Sequence, residues 1–117
     1  NYSEPTLQKY LQEGKPVFID FTASWCITCQ VNKRLVLHTD DIQNFFTTNN
    51  IILIKADWTN NDPAITKKLA EFNRNSVPLY VYYPVQSLAK NQKPSVLSEI
   101  LSKQMIYNLI DNTEESK

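Results

Sequence analysis

The stretch that most restricts this chain runs from Val17 to Cys29, VFIDFTASWCITC. Val17 to Phe21 is β-branched and aromatic apart from Asp20, and Pro16 stands just before it, which predicts a short, largely buried strand. After Ala23-Ser24 the period changes. Ile27, Val31 and Leu35 recur at i, i+4 and i+8, the stripe of an amphipathic helix. Cys26 and Cys29 therefore fall where a strand hands over to the first turn of a helix. At i and i+3 their side chains share one face, close enough for a disulfide after small adjustment.

The first-turn N–H groups of a helix have no intrahelical partners, and the helix dipole places partial positive charge there. A sulfur at this end is favoured as thiolate, so its pKa is expected below the free value of roughly 8.5. Two blander readings compete. A disulfide staple is one, but so short a loop removes little entropy from the unfolded chain. Half of a metal site is the other. A zinc site needs two further Cys or His ligands, and the chain has two cysteines and one histidine in all. Two thiolates holding Cu(I) is the variant that needs fewest ligands, although no Met or third Cys stands nearby. Redox use fits the pattern best, with Cys26 expected exposed at the helix start and Cys29 shielded one turn in.

Asp20 to Cys29, DFTASWCITC, resembles the active-site stretch of the thioredoxin superfamily, with an acid six residues before the first cysteine and a Trp directly before it. Lys55 to Pro63, KADWTNNDP, and Ser76 to Tyr80, SVPLY, narrow the likeness. Together these segments resemble the C-terminal thioredoxin-like domain of DsbD-type thiol:disulfide interchange proteins, including the related ScsB-like branch, from about Lys15 to Ile110. The resemblance implies a protein-disulfide reductase with Cys26 and Cys29 as its exchanging pair and no organic cofactor or metal. It implies electrons received from a membrane-embedded thiol domain and passed to an N-terminal domain of the same protein, and a periplasmic setting. The alternatives within redox chemistry are a free-standing periplasmic thioredoxin and a disulfide isomerase. Val77-Pro78 matches the loop in which the superfamily carries a cis proline beside the cysteines, so Val77 and Pro78, with Trp25, Ile27 and Thr28, are the expected substrate-contacting residues. A proline makes a cis bond feasible at ~0.5–1 kcal/mol, against ~2.5–4 kcal/mol for other residues. Lys55 is expected, by the same resemblance, to approach Asp20 from the adjacent strand, a surface lysine being the competing reading.

Asp20 is the one acid inside an apolar strand. A buried carboxylate without a partner tends to keep its proton, so its pKa is expected to rise. Such a group beside the cysteines can accept the proton that Cys29 must lose. DsbD domains carry a second acid four residues after the second cysteine; here that position is Lys33, which favours the ionised Asp20.

The rest of the chain supplies the frame. At 117 residues it makes one domain with a single core. Lys plus Arg equals Asp plus Glu, 12 against 12, without runs of either sign, so nothing calls for nucleic acid. No apolar run approaches the roughly 18 residues of a membrane span and no signal peptide opens the chain, so a soluble, monomeric domain is expected. Pro5, Leu7, Tyr10 and Leu11 predict a short first helix stopped by Gly14, with too few residues before it for a strand. The active-site helix ends near His38, a solvated residue favoured by the helix dipole. Asp40 or Asp41 caps a helix through Ile42, Phe45 and Phe46. Ile51 to Ala56 reads as a second buried strand, and Asp62-Pro63 opens a helix with Ile65, Leu69 and Phe72 inward. Strand, helix and the next strand, Leu79 to Tyr83, favour parallel pairing. Tyr80, Tyr82 and Tyr83 are read as strand aromatics rather than a base-stacking platform. A polar connection, Val85 to Pro94, leads to an antiparallel edge strand at Ser95 to Ser98. Ser102 caps a last helix, and residues 112–117 form a frayed tail. The expected class is α/β, a thioredoxin-like fold with a central mixed sheet flanked by helices.

Overall fold

The structure, a computed structural model, describes residues 2–85 and 93–115. Among the described residues, five helices and a π-helical turn flank a four-stranded mixed sheet. In chain order the elements are α1 (Glu4–Gln12), β1 (Val17–Thr22), α2 (Ile27–Asn32), a π-helical turn (Lys33–Leu37), α3 (Asp40–Thr48), β2 (Ile52–Asp57), α4 (Pro63–Glu71), β3 (Leu79–Tyr83), β4 (Ser95–Val96) and α5 (Lys103–Glu115). The sheet order is β2-β1-β3-β4. The parallel pairing expected of Leu79–Tyr83 is corrected: the parallel pair is β1 with β2, and β2 and β3 are not neighbours. β3 instead returns antiparallel on the other side of β1, with Asp20 opposite Tyr80, and β4 continues antiparallel.

β1 is thus central, and all six of its residues are buried. Alternate side chains serve two layers, as the pleat requires. Val17, Ile19 and Phe21 pack with Leu7, Ile65, Leu69, Leu79 and Val81 on the α1–α4 side. Phe18, with Tyr80 and Tyr82, meets Val36, Ile42, Phe46, Ile106 and Leu109 on the other. The three tyrosines of β3 are core, as read from the sequence.

Three local signals act as expected. Asp62 accepts N–H bonds from Ala64 and Ile65 ahead of Pro63, Ser102 Oγ accepts from Met105 N, and Gly14 takes φ 79° directly after the α1 cap. Other expectations are corrected. β2 alternates between exposed and buried because it is an edge strand: Leu53, Lys55 and Asp57 face outward. Thr39 holds the N-cap position of α3, with Asp40 and Asp41 in its first turn. The last helix runs on to Glu115, through much of the tail expected to fray. Most of the polar connection, residues 86–92, lies outside the described residues.

The largest correction concerns α2. Ile27 and Leu35 are 81% and 57% exposed, and Val31 is half-buried. The face turned inward carries Cys29, Asn32 and Val36. This face is turned well away from the apolar stripe, by roughly 130° at 100° per residue. A polar Asn faces the core because its amide is fully employed there. Asn32 Nδ2 donates to Tyr80 OH at 2.8 Å and to the Glu99 carbonyl at 2.8 Å, and Oδ1 accepts from Leu101 N at 3.1 Å. Those three bonds tie the active-site helix to β3 and to the segment before α5.

Candidate active site

β1 ends at Thr22, and a tight turn closed by Cys26 N donating to the Ala23 carbonyl (3.1 Å) sets Cys26 at the N-cap of α2. Cys26 and Cys29 are joined as a disulfide with Cα atoms 5.2 Å apart. Cys26 Sγ also accepts from Cys29 N at 3.1 Å, so an otherwise unpartnered first-turn N–H points at the sulfur. Both sulfurs lie low in the surface. Cys26 is 7% exposed and Cys29 1%, so the expected contrast survives only as a difference of degree. The reason is the lid around Cys26: Ala23 and Val77 pack with the two cysteines as one small apolar cluster.

That contact brings the Val77-Pro78 loop to the disulfide. The Val77-Pro78 bond is cis, as the resemblance implied, and Pro78 is buried. Trp25 is 53% exposed and Ile27 more so, and Thr28 is half-buried.

A second brace was not legible in the sequence. Ser24 N donates to Thr59 Oγ1 (2.9 Å), and Trp25 Nε1 donates to the Thr59 carbonyl (3.0 Å). Thr59 is itself held by Asp57, which accepts from its N–H and its hydroxyl. Those bonds hold the Asp57 carboxyl below the usual carboxylate range. Trp58 donates its backbone N–H to the Thr22 carbonyl at 2.7 Å and stacks, tilted, on Trp25 with ring centres 6.0 Å apart. The available signal was positional: the loop leaves the carboxyl end of β2, beside the carboxyl end of β1, where α/β sheets place their sites.

Asp20 is 6% exposed in the central strand, the buried position expected of it. No donor among the described residues hydrogen-bonds its carboxylate. Desolvation pushes its pKa up to about 6, against the opposing pull of Lys33 and Lys55. Lys55 stands in register with Asp20 on β2, which supports the approach expected of it. The two lysines line a cavity of about 230 Å³ together with Thr22, Ala23, Ser24, Gln30 and Asp57. Thr22 Oγ1 is buried without a hydrogen-bond partner. His38 is exposed, and partial desolvation with the two lysines holds its pKa below the usual value. Among the described residues, no group of three or more His, Cys, Asp or Glu side chains is placed to hold a metal.

Comparison with known proteins agrees with this geometry. A profile described as Thioredoxin-like matches residues 1–84. The chain belongs to the thioredoxin-like family. It is 31% identical over 84 residues to the thiol:disulfide interchange protein DsbD of Yersinia pestis, an alignment covering 70% of this chain and 14% of that protein. The Vibrio cholerae DsbD is 28% identical over 74 residues, 63% of this chain and 12% of that one. The chain therefore spans only about one seventh of the curated relatives it matches. Among solved structures, the oxidised C-terminal domain of Neisseria meningitidis DsbD superposes with TM-score 0.65 at 22% identity, covering 92% of this chain and 87% of that one. A chloroplastic thioredoxin z superposes with TM-score 0.71 at 17% identity, covering 97% and 92%. Both show that the fold is shared. Among the described residues, no helix is long and apolar enough to cross a membrane.

Proposed function

We propose that the chain is a thiol:disulfide interchange domain that relays reducing equivalents through Cys26 and Cys29, as a protein-disulfide reductase of DsbD type. The observation that carries this reading is the disulfide formed at a helix N-cap with a backbone N–H directed at Cys26 Sγ. On reduction that N–H and the helix dipole favour the Cys26 thiolate. The thiolate attacks one sulfur of a partner disulfide. A Cys26–partner bond forms, the partner's S–S bond breaks, and its other sulfur leaves as thiolate. Cys29, once deprotonated, attacks Cys26 Sγ, re-forming the internal disulfide and expelling the partner's first sulfur. Two electrons have then passed to the partner.

Asp20 is the proposed acceptor of the Cys29 proton. With a pKa of about 6 it is ionised roughly ten to one at pH 7, yet basic enough to take a proton in passing. Lys33, one turn beyond Cys29, is its electrostatic neighbour, which supports a place beneath the start of α2. Val77, which packs against the pair, its neighbour Pro78, and Trp25, Ile27 and Thr28 next to the cysteines in the chain are proposed to contact the partner segment. Likeness to DsbD supports partner domains within one longer chain, one of them membrane-embedded, and a periplasmic setting.

Two measurements test the reading. Cys29→Ser should accumulate a covalent mixed disulfide through Cys26, and Cys26→Ser should not; equal trapping by both refutes the assignment. Equilibration with glutathione buffers should place the couple nearer the −270 mV or so of thioredoxin than the roughly −120 mV of the strong oxidant DsbA. A potential near the latter reverses the direction of flow.

A further inference from the structure

The stripe Ile27–Val31–Leu35 predicts an inward face and instead looks out, so α2 is apolar on the side where a surface helix is normally polar. The stripe begins beside the disulfide, at Ile27, and is flanked there by exposed Trp25. It is therefore continuous with the surface across which exchange must take place. Its charge is one-sided. Between Asp20 and Asp40 the sequence contains no acid, while exposed Arg34 stands within the stripe's own length and Lys33 turns away to the cavity beside Asp20. Arg34 forms no ion pair among the described residues.

Resting on the exchange reading above, we propose that this face of α2 is the docking strip for the partner protein, and that it selects a reactive cysteine flanked by an apolar segment ending in carboxylates. Eight residues at 1.5 Å each carry the strip about 12 Å from Ile27 to Leu35. An extended segment at about 3.3 Å per residue covers that with about four residues beyond its cysteine. Val31 and Leu35 take the apolar side chains, and Arg34, exposed next to Leu35, takes the terminal carboxylates. An apolar surface beside the sulfur also excludes water from the mixed disulfide, which strengthens the cation–carboxylate attraction at its end.

The experiment uses the reduced domain and three cysteine peptides, each presented as the mixed disulfide with 2-mercaptoethanol. In the first, four Leu or Phe residues on each side of the cysteine end in Glu. In the second the ends are Lys, and in the third the flanks are Ser and Gly with Glu ends. Hydroxyethyl disulfide, too small to reach Leu35, reports exchange itself. Released peptide thiol is followed after acid quench. The apolar–acidic peptide should react at least about tenfold faster than either other peptide, the range expected for burying one or two aliphatic side chains. The double variant Val31→Ser/Leu35→Ser should abolish that preference, with hydroxyethyl disulfide still reduced at the wild-type rate, and Leu35→Ser alone, at the 57% exposed position, should weaken it with an unchanged melting temperature. Equal rates for the three peptides overturn the docking proposal and leave the exchange reading standing, as does a preference that survives in the double variant. A wild-type dimer in sedimentation that the double variant converts to monomer also overturns it, by assigning the strip to a second copy. Failure to reduce hydroxyethyl disulfide removes the exchange reading, and the docking proposal with it.

Discussion

Replacing Asp20 by asparagine removes a charge from the centre of the sheet at nearly constant shape. The carboxyl ordinarily titrates at 3.8, and burial raises it to about 6 in the fold. Below pH 3.8 the group is protonated in the folded and unfolded chains alike, and its ionisation contributes nothing. Between 3.8 and about 6 the unfolded chain has released the proton that the folded chain retains, so stability falls as pH rises. Above about 6 the loss is complete. At 1.36 kcal/mol per pH unit the interval corresponds to about 3 kcal/mol. For a chain of this size that amounts to roughly 10 °C in melting temperature. Asp20→Asn should therefore gain nothing over wild type at pH 3.5 and about 3 kcal/mol at pH 8, with the rise centred near pH 5. Urea denaturation of the oxidised proteins across this range supplies the difference curve. Asp57 and Glu4, whose pKa values are lowered by hydrogen bonding, stabilise as pH rises, but they do so in both proteins and cancel in the difference. A flat difference, or a wild type favoured above pH 6, would refute the claim that Asp20 is a desolvated carboxylate. The same variant should slow resolution by Cys29 more than the first attack by Cys26.

Other residues give narrower tests. Lys33→Glu replaces a cation that lowers the Asp20 pKa with an anion, so the Asp20 midpoint, followed by carboxyl NMR, should move upward; an unmoved midpoint would separate Lys33 from the site. Asn32→Ala leaves Leu101 N–H and Tyr80 OH without their partner in the core and should cost about 2–3 kcal/mol in denaturant unfolding, a loss under 0.5 kcal/mol counting against the brace. Thr22→Val deletes a buried hydroxyl without a partner and should stabilise the fold by about 1 kcal/mol; destabilisation would mean that the hydroxyl is satisfied.

How much of this was legible in the sequence depended on whether a signal was local. The strand entering Trp25-Cys26, the Asp62-Pro63 helix start, Gly14 after α1 and the Ser102 cap depend on backbone preferences within a few residues, and each stands where it was expected. The cysteine pair at a helix start was legible from spacing and the change of period, while its exchange chemistry was favoured over a staple or a metal site by the family resemblance. Tertiary structure decided what periodicity leaves open. α2 has two usable faces, and apolarity favoured Ile27, Val31 and Leu35. The core took Cys29, Asn32 and Val36 because Tyr80, Glu99 and Leu101 together satisfy the Asn32 amide, partners 48 to 69 residues away. Likewise Asp20 could not be assigned a pKa until β3 and β2 closed on either side of it and withdrew its water. Thr59 became part of the site only when the end of β2 came beside the end of β1. Local sequence specifies which backbone states are cheap. Which face is buried, and which charge is stranded, is settled only when distant segments compete for the same space.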